Sequence, residues 1–244
     1  VLLAGPEKEG VKYPTKEEIA ALLKQMKSFD LKPYEDKVSN EPLLKEEPKG
    51  GKIVSEKAGD IYGTTKLVLS NGVKVYIKTT DYKADQILMK GTSLGVSATT
   101  ETVSGSCSPK DFETMMQLTY LTFTAPRKDN EAFESYKNRM KAELQNADAN
   151  PMTAFSDTVS YALYGNHPRS FSMKENMVDK IDYDRVMEMY KDRFKDASDF
   201  TFYFVGNIDV EKMKPMIAKY LGGLPSINRK ETFKDTKMEI RKGQ

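Results

Sequence analysis

The chain has 244 residues, 39% hydrophobic and 30% charged, which suffices for one sizeable core beneath a well-solvated surface. Its 38 basic and 36 acidic residues are interspersed and leave a net charge of +2, so there is no electrostatic case for nucleic acid as the main partner. A single cysteine, Cys107, excludes an internal disulfide, and no run of about 18 apolar residues offers a membrane span.

Val1 to Ala4 is a short apolar run that stops at Gly5-Pro6. It reads as the end of a strand, and the chain is therefore expected to be a fragment of something longer. Thr15 followed by Glu18 has the spacing of a capping box, and Ile19, Leu22, Leu23 and Met26 continue at helical spacing. From Leu31 to Gly63 the prolines at 33, 42 and 48, the Gly50-Gly51 pair and many charges predict an extended linker. The expected organisation is a preceding piece plus linker over 1–63, one domain over 64–228, and a polar tail over 229–244. Strand character in that tail is confined to Lys237–Ile240.

Leu67 to Ile77, LVLSNGVKVYI, predicts two short strands around Asn71-Gly72, a pair suited to the positive φ of a tight hairpin turn. Asp85 to Leu94 predicts a further strand with Ile87 and Met89 on one face, and VSATTETVSGSCSP has strand character. Cys107 lies in the Ser-rich turn and reads as a small structural residue. No helix separates those two strands, although a domain with this much sheet should cover one face with helices early. Residues are therefore expected to be missing near Gly95-Val96.

Helices follow. Ser108 and Pro109 open one that runs to Thr124, with Phe112, Met115, Met116 and Leu118 on its apolar side. Others are predicted over Asp129–Asn146, Met152–Tyr164 with a stop at Gly165, Asp182–Phe194 and Val210–Leu221. The aromatic run Phe200 to Phe204 is a buried strand before the last helix. The fold class is α+β, a mostly antiparallel sheet with helices packed on one face.

In this order, LVLSNGVKVYI, QILMKGTSLG, KAELQNADANP, YALYGNHP and DFTFYFVGNIDVEKMKPMIAKYLGGLP resemble the pitrilysin/insulinase family of zinc metallopeptidases. The closing word, an aromatic strand ending V-G-N-hydrophobic-D and a helix ending Y-L-G-x-L-P, is a recurrent signature there. The nearest likeness is to two-half peptidases of the Gram-negative envelope. That resemblance implies a periplasmic or envelope location, peptide substrate, and a catalytic half as partner.

The family's active site is HxxEH on an early helix. Two histidines on adjacent turns hold Zn²⁺, the Glu between them activates water, and a downstream Glu is the third ligand. This chain has one histidine, His167, in a Pro-flanked turn, and no HxxEH. Glu143 stands about where the resemblance implies the third ligand. Without histidine partners it reads as a helix-face carboxylate, a weak metal candidate only. The family's substrate-anchoring Arg and Tyr have no identifiable counterparts. A phosphate-binding Gly loop and CxxC are both absent.

The resemblance thus implies a non-catalytic half that encloses and binds peptide for a zinc-bearing active half. Two alternatives stand beside it. The missing segment near residue 95 carries HxxEH and the chain is an active half, or the fold is reused as a structural or interaction module.

Overall fold

The computed structural model describes residues 12–26, 28–29, 41–59, 62–93, 101–148, 150–230, 232 and 235–242. The expectations about Val1–Gly5 and about a break at Gly95-Val96 lie outside the described residues. The chain divides into two compact units, 1–41 and 42–244.

The first unit holds α1 (Lys16–Met26). Its N-terminus is the reciprocal capping box the sequence predicts. The Thr15 amide donates to Glu18 Oε2 at 2.8 Å, and the Glu18 amide donates to Thr15 Oγ1 at 3.2 Å.

The second unit is built on a six-stranded sheet. Its strands are β1 (Ile53–Ala58), β2 (Thr65–Leu69), β3 (Lys74–Thr79), β4 (Ile87–Ser93), β5 (Thr102–Cys107) and β6 (Phe200–Gly206), in spatial order β1-β2-β3-β6-β4-β5. All neighbours are antiparallel except β3 and β6, which run parallel with Tyr76 opposite Tyr203. Period-two alternation puts Leu67, Val75, Ile77, Met89, Phe202 and Phe204 on one face, where each is at most 4% exposed. That face carries the helices. Leu88, Tyr203 and Val205 point the other way and are 47%, 44% and 41% exposed.

The helices are α2 (Phe112–Thr124), α3 (Asn130–Asp148), α4 (Pro151–Tyr164), α5 (Tyr183–Phe194) and α6 (Val210–Tyr220). Single 3-10 segments at Pro109–Asp111 and Glu175–Lys180 precede α2 and α5. Phe112, Met115, Met116 and Phe123 of α2 and Met213, Ile217 and Tyr220 of α6 supply the covering layer. Phe123 is the aromatic hub, with ring centroids 5.0 Å from Phe194, 4.9 Å from Phe200 and 6.3 Å from Phe202.

Four expectations need correction. The stretch before residue 63 is not all linker, because β1 pairs antiparallel with β2. Gly50-Gly51 serves close approach rather than flexibility. The Gly51 amide donates to Ala218 O at 2.9 Å, and a Cβ there would stand 2.6 Å from Gly222 O. Lys237–Ile240 forms no strand; the neighbouring Arg241 amide bonds to Leu163 O at 2.8 Å, at the end of α4. Ser108 does not cap by accepting an amide. Its hydroxyl donates to Asp111 Oδ2 at 2.6 Å, and the helix opens through the 3-10 turn.

Candidate peptide-binding edge

The two edges of the sheet differ in how they are protected. Proteins blunt exposed edges with charges, prolines or bulges, because unpaired N–H and C=O groups template strand addition. β1 has such devices. Its register slips between Ile53 and Ser55, and it carries Glu56 and Lys57. Glu56 is held by Lys214 of α6 at 2.6 Å. β5, with the sequence TVSGSC, has no charge and no proline. Among the described residues it pairs only with β4.

β5 is also incompletely covered. Val103, Gly105 and Cys107 point to the helix side yet remain only partly buried. Between this strand and α2 lies a cavity of about 330 Å³. Met89, Val103, Met115 and Leu118 give it apolar walls, Ser and Thr hydroxyls fringe it, and Asp111 is its one charged lining residue. Gly105 keeps it open, because a Cβ there would approach Met115 Sδ to 2.9 Å. The Cys107 thiol is pushed up from its ordinary pKa by burial and by the nearby Asp111 carboxylate. It stays protonated and acts as a soft wall, not a nucleophile.

The start of β5 is anchored by a polar cluster. Glu101 accepts from Arg193 Nε of α5 at 2.7 Å and from Ser93 Oγ at 2.5 Å. Burial works to raise the Glu101 carboxyl, but these bonds outweigh it and hold the group below its usual value. Asp196, 5% exposed, lies just past α5 and accepts the amides of Ser198, Ile227 and Arg229 at 3.0, 3.1 and 2.6 Å.

The residues singled out as possible metal ligands are not brought together. His167 Nε2 lies 3.0 Å from Thr236 O, and its Nδ1 accepts the Arg169 amide at 3.2 Å, so both ring nitrogens serve the backbone. Glu143 stands on the open side of α3, 70% exposed, with Arg139 Nε at 3.9 Å. No group of three or more His, Cys, Asp or Glu able to hold a metal occurs among the described residues. A hydrolytic zinc ion, which needs about three protein ligands, does not fit the donors present. The β5 edge and its cavity were not singled out from the sequence. The available signal was a strand without charge or proline followed by a Met-rich helix, and its meaning depends on which strand ends the sheet.

Comparison with known proteins adds to this geometry. Residues 180–243, which span α5, β6 and α6, match the model of the peptidase M16 inactive domain. A zinc protease PQQL-like protein of Arabidopsis thaliana is 30% identical over 217 residues, covering 79% of this chain and 23% of the relative. The chain belongs to the M16, or pitrilysin/insulinase, peptidase family. The fold agrees with other M16 structures. The periplasmic protease PqqL of Escherichia coli superposes with a TM-score of 0.67 at 18% identity, over 88% of this chain and 29% of that one. The first half of the same protease superposes with a TM-score of 0.53 at 14% identity, over 72% of this chain and 50% of that one. The chain thus spans about a quarter of its Arabidopsis M16 relative. The mixed sheet with helices on one face is the family's fold. Among the described residues no helix is long and apolar enough to cross a membrane.

Proposed function

We propose that this chain is part of the non-catalytic half of a two-half M16 peptidase, and that it holds an extended peptide for cleavage by a zinc-bearing active half. The observation that carries the reading is the bare β5 edge beside its apolar cavity. A peptide adding to β5 would bond through the strand's outward N–H and C=O groups, and one side chain in two would face the cavity. The walls suit an aliphatic or thioether side chain. Asp111 at the rim disfavours an acidic one. Zinc belongs to the active half in this reading, and this chain contributes binding, not water activation. A periplasmic or envelope location follows from the same reading, supported by the periplasmic Escherichia coli relative.

The test compares an extended apolar peptide with the same peptide N-methylated at alternate residues, both titrated into the full chain. The first should bind and the second should not, and Gly105→Leu, which fills the cavity, should weaken the first. Equal binding of both peptides would show that no strand forms at β5.

A further inference from the structure

The helix-free face of the sheet carries a second surface, independent of the β5 edge. Its register can be followed strand by strand. Lys57 pairs with Lys66, Lys66 with Tyr76, Tyr76 with Tyr203, and Tyr203 with Lys90. Directly paired residues share a face, so these side chains form one row across five strands. Lys74 and Lys78 flank Tyr76 along β3, two residues to either side, and so lie on the same face. The two tyrosines are stacked, with ring centroids 5.4 Å apart and planes 16° apart. Beside them Val205 pairs with Leu88, giving a short aliphatic extension of the aromatic pair.

The charge on this face has one sign. The five lysines are its only charged strand positions, because the one acidic strand residue, Glu56, pairs with Leu67 on the helix side. Several lysines elsewhere in the unit are matched. Lys128, Lys141, Lys212 and Lys219 each pair with a carboxylate. None of Lys57, Lys66, Lys74 and Lys90 makes a salt bridge to a described residue, and Lys78 donates to the Tyr62 carbonyl at 2.6 Å. An apolar centre enclosed by unmatched cations on a flat face is complementary to an apolar stripe flanked by carboxylates.

We propose that this face docks an acidic amphipathic helix presented by a partner protein domain. The apolar centre spans β3, β6 and β4, two interstrand gaps or about 10 Å. That matches the width of one helix. Lys66 on one flank and Lys90 on the other then meet Glu or Asp bordering the helix's apolar stripe. The ring faces argue against stacked nucleobases. Tyr76 is occupied by Tyr203 and by Lys66, whose Nζ lies 5.2 Å from its centroid. A lipid surface is disfavoured because the strand side chains on this face include no Trp or Phe to insert.

The experiment is fluorescence anisotropy with the full chain and a designed helix of about 18 residues, carrying a Leu stripe bordered by Glu. The comparison probes are the same stripe bordered by Lys, a single-stranded oligonucleotide, and vesicles containing an anionic lipid. The acidic helix should bind, more weakly as salt is raised, and at least about tenfold more tightly than the basic one. Lys66→Glu with Lys90→Glu should reverse that preference. If the reversed chain fails to fold by circular dichroism, Lys66→Gln with Lys90→Gln should still erase it. Gly105→Leu should leave it unchanged, which separates this surface from the β5 edge. The proposal is overturned by equal binding of both helices, by no binding of the acidic helix, by a preference indifferent to the lysine substitutions, or by tighter binding of the oligonucleotide or the vesicles.

Discussion

Asn71 Nδ2 donates to the carbonyl of Leu221 at 2.8 Å and of Leu224 at 3.1 Å. The hairpin turn at one end of the domain thereby closes the last turn of α6 at the other. The same side chain accepts the Val73 amide through Oδ1 at 3.3 Å, which orients its donors. The bonds tie the C-cap residue of α6 and the turn that follows it to the hairpin.

Asn71→Asp keeps the acceptor but sets a carboxylate oxygen against two carbonyls. The expected cost is about 2–3 kcal/mol, seen as a fall in Tm of roughly 4–12 °C by calorimetry. An unchanged Tm would show that the contact is not formed in solution.

Phe123 is 5% exposed and meets three other rings. Phe123→Ala leaves a cavity where α2, α5 and β6 converge and should cost about 3–5 kcal/mol in urea unfolding. Phe171, 54% exposed, provides the contrast. Phe171→Ala should stay within about 1 kcal/mol.

Asp196 and Glu101 give the fold an acid limit. Burial opposes ionisation of both, yet hydrogen bonds hold each below its ordinary value. A carboxyl depressed in the folded state stabilises above its unfolded pKa and loses that contribution as pH falls through the folded value. The urea midpoint should therefore be level near neutrality and decline below about pH 4. In Asp196→Asn the midpoint at neutral pH should be lower and the acid decline shallower.

Metal analysis addresses the non-catalytic reading directly. The full chain, dialysed after exposure to zinc, should retain less than one equivalent, and Glu143→Ala should not alter that figure. It should also leave a fluorogenic peptide intact. Stoichiometric zinc that disappears in Glu143→Ala would sink the assignment and favour an active half.

Local chemistry made much of this fold legible. Asn71-Gly72 marks the hairpin, and Gly72 has the positive φ of 91° that such a turn needs. Asn150, Asp182 and Asp209 cap α4, α5 and α6 by accepting backbone amides, and Gly165 ends α4 at φ 66°. What stayed hidden is non-local. Prolines and glycines around Ile53 resemble a linker, and only pairing with β2 makes a strand of that segment. The β5 edge became a candidate site once the strand order put it at the end of the sheet. The lysine–tyrosine row is invisible in the sequence because its members come from five separate strands.

The parallel pairing of β3 with β6 fixes when the domain can form. Lys74 meets Thr201, a partner made more than a hundred residues later. The β2–β3 and β4–β5 hairpins leave the ribosome first, each with an inner border that only β6 can occupy. Such high contact order slows folding. Until Gly206 emerges, the nascent chain exposes two sticky seams, and a truncation before that point should give aggregates rather than a smaller stable protein.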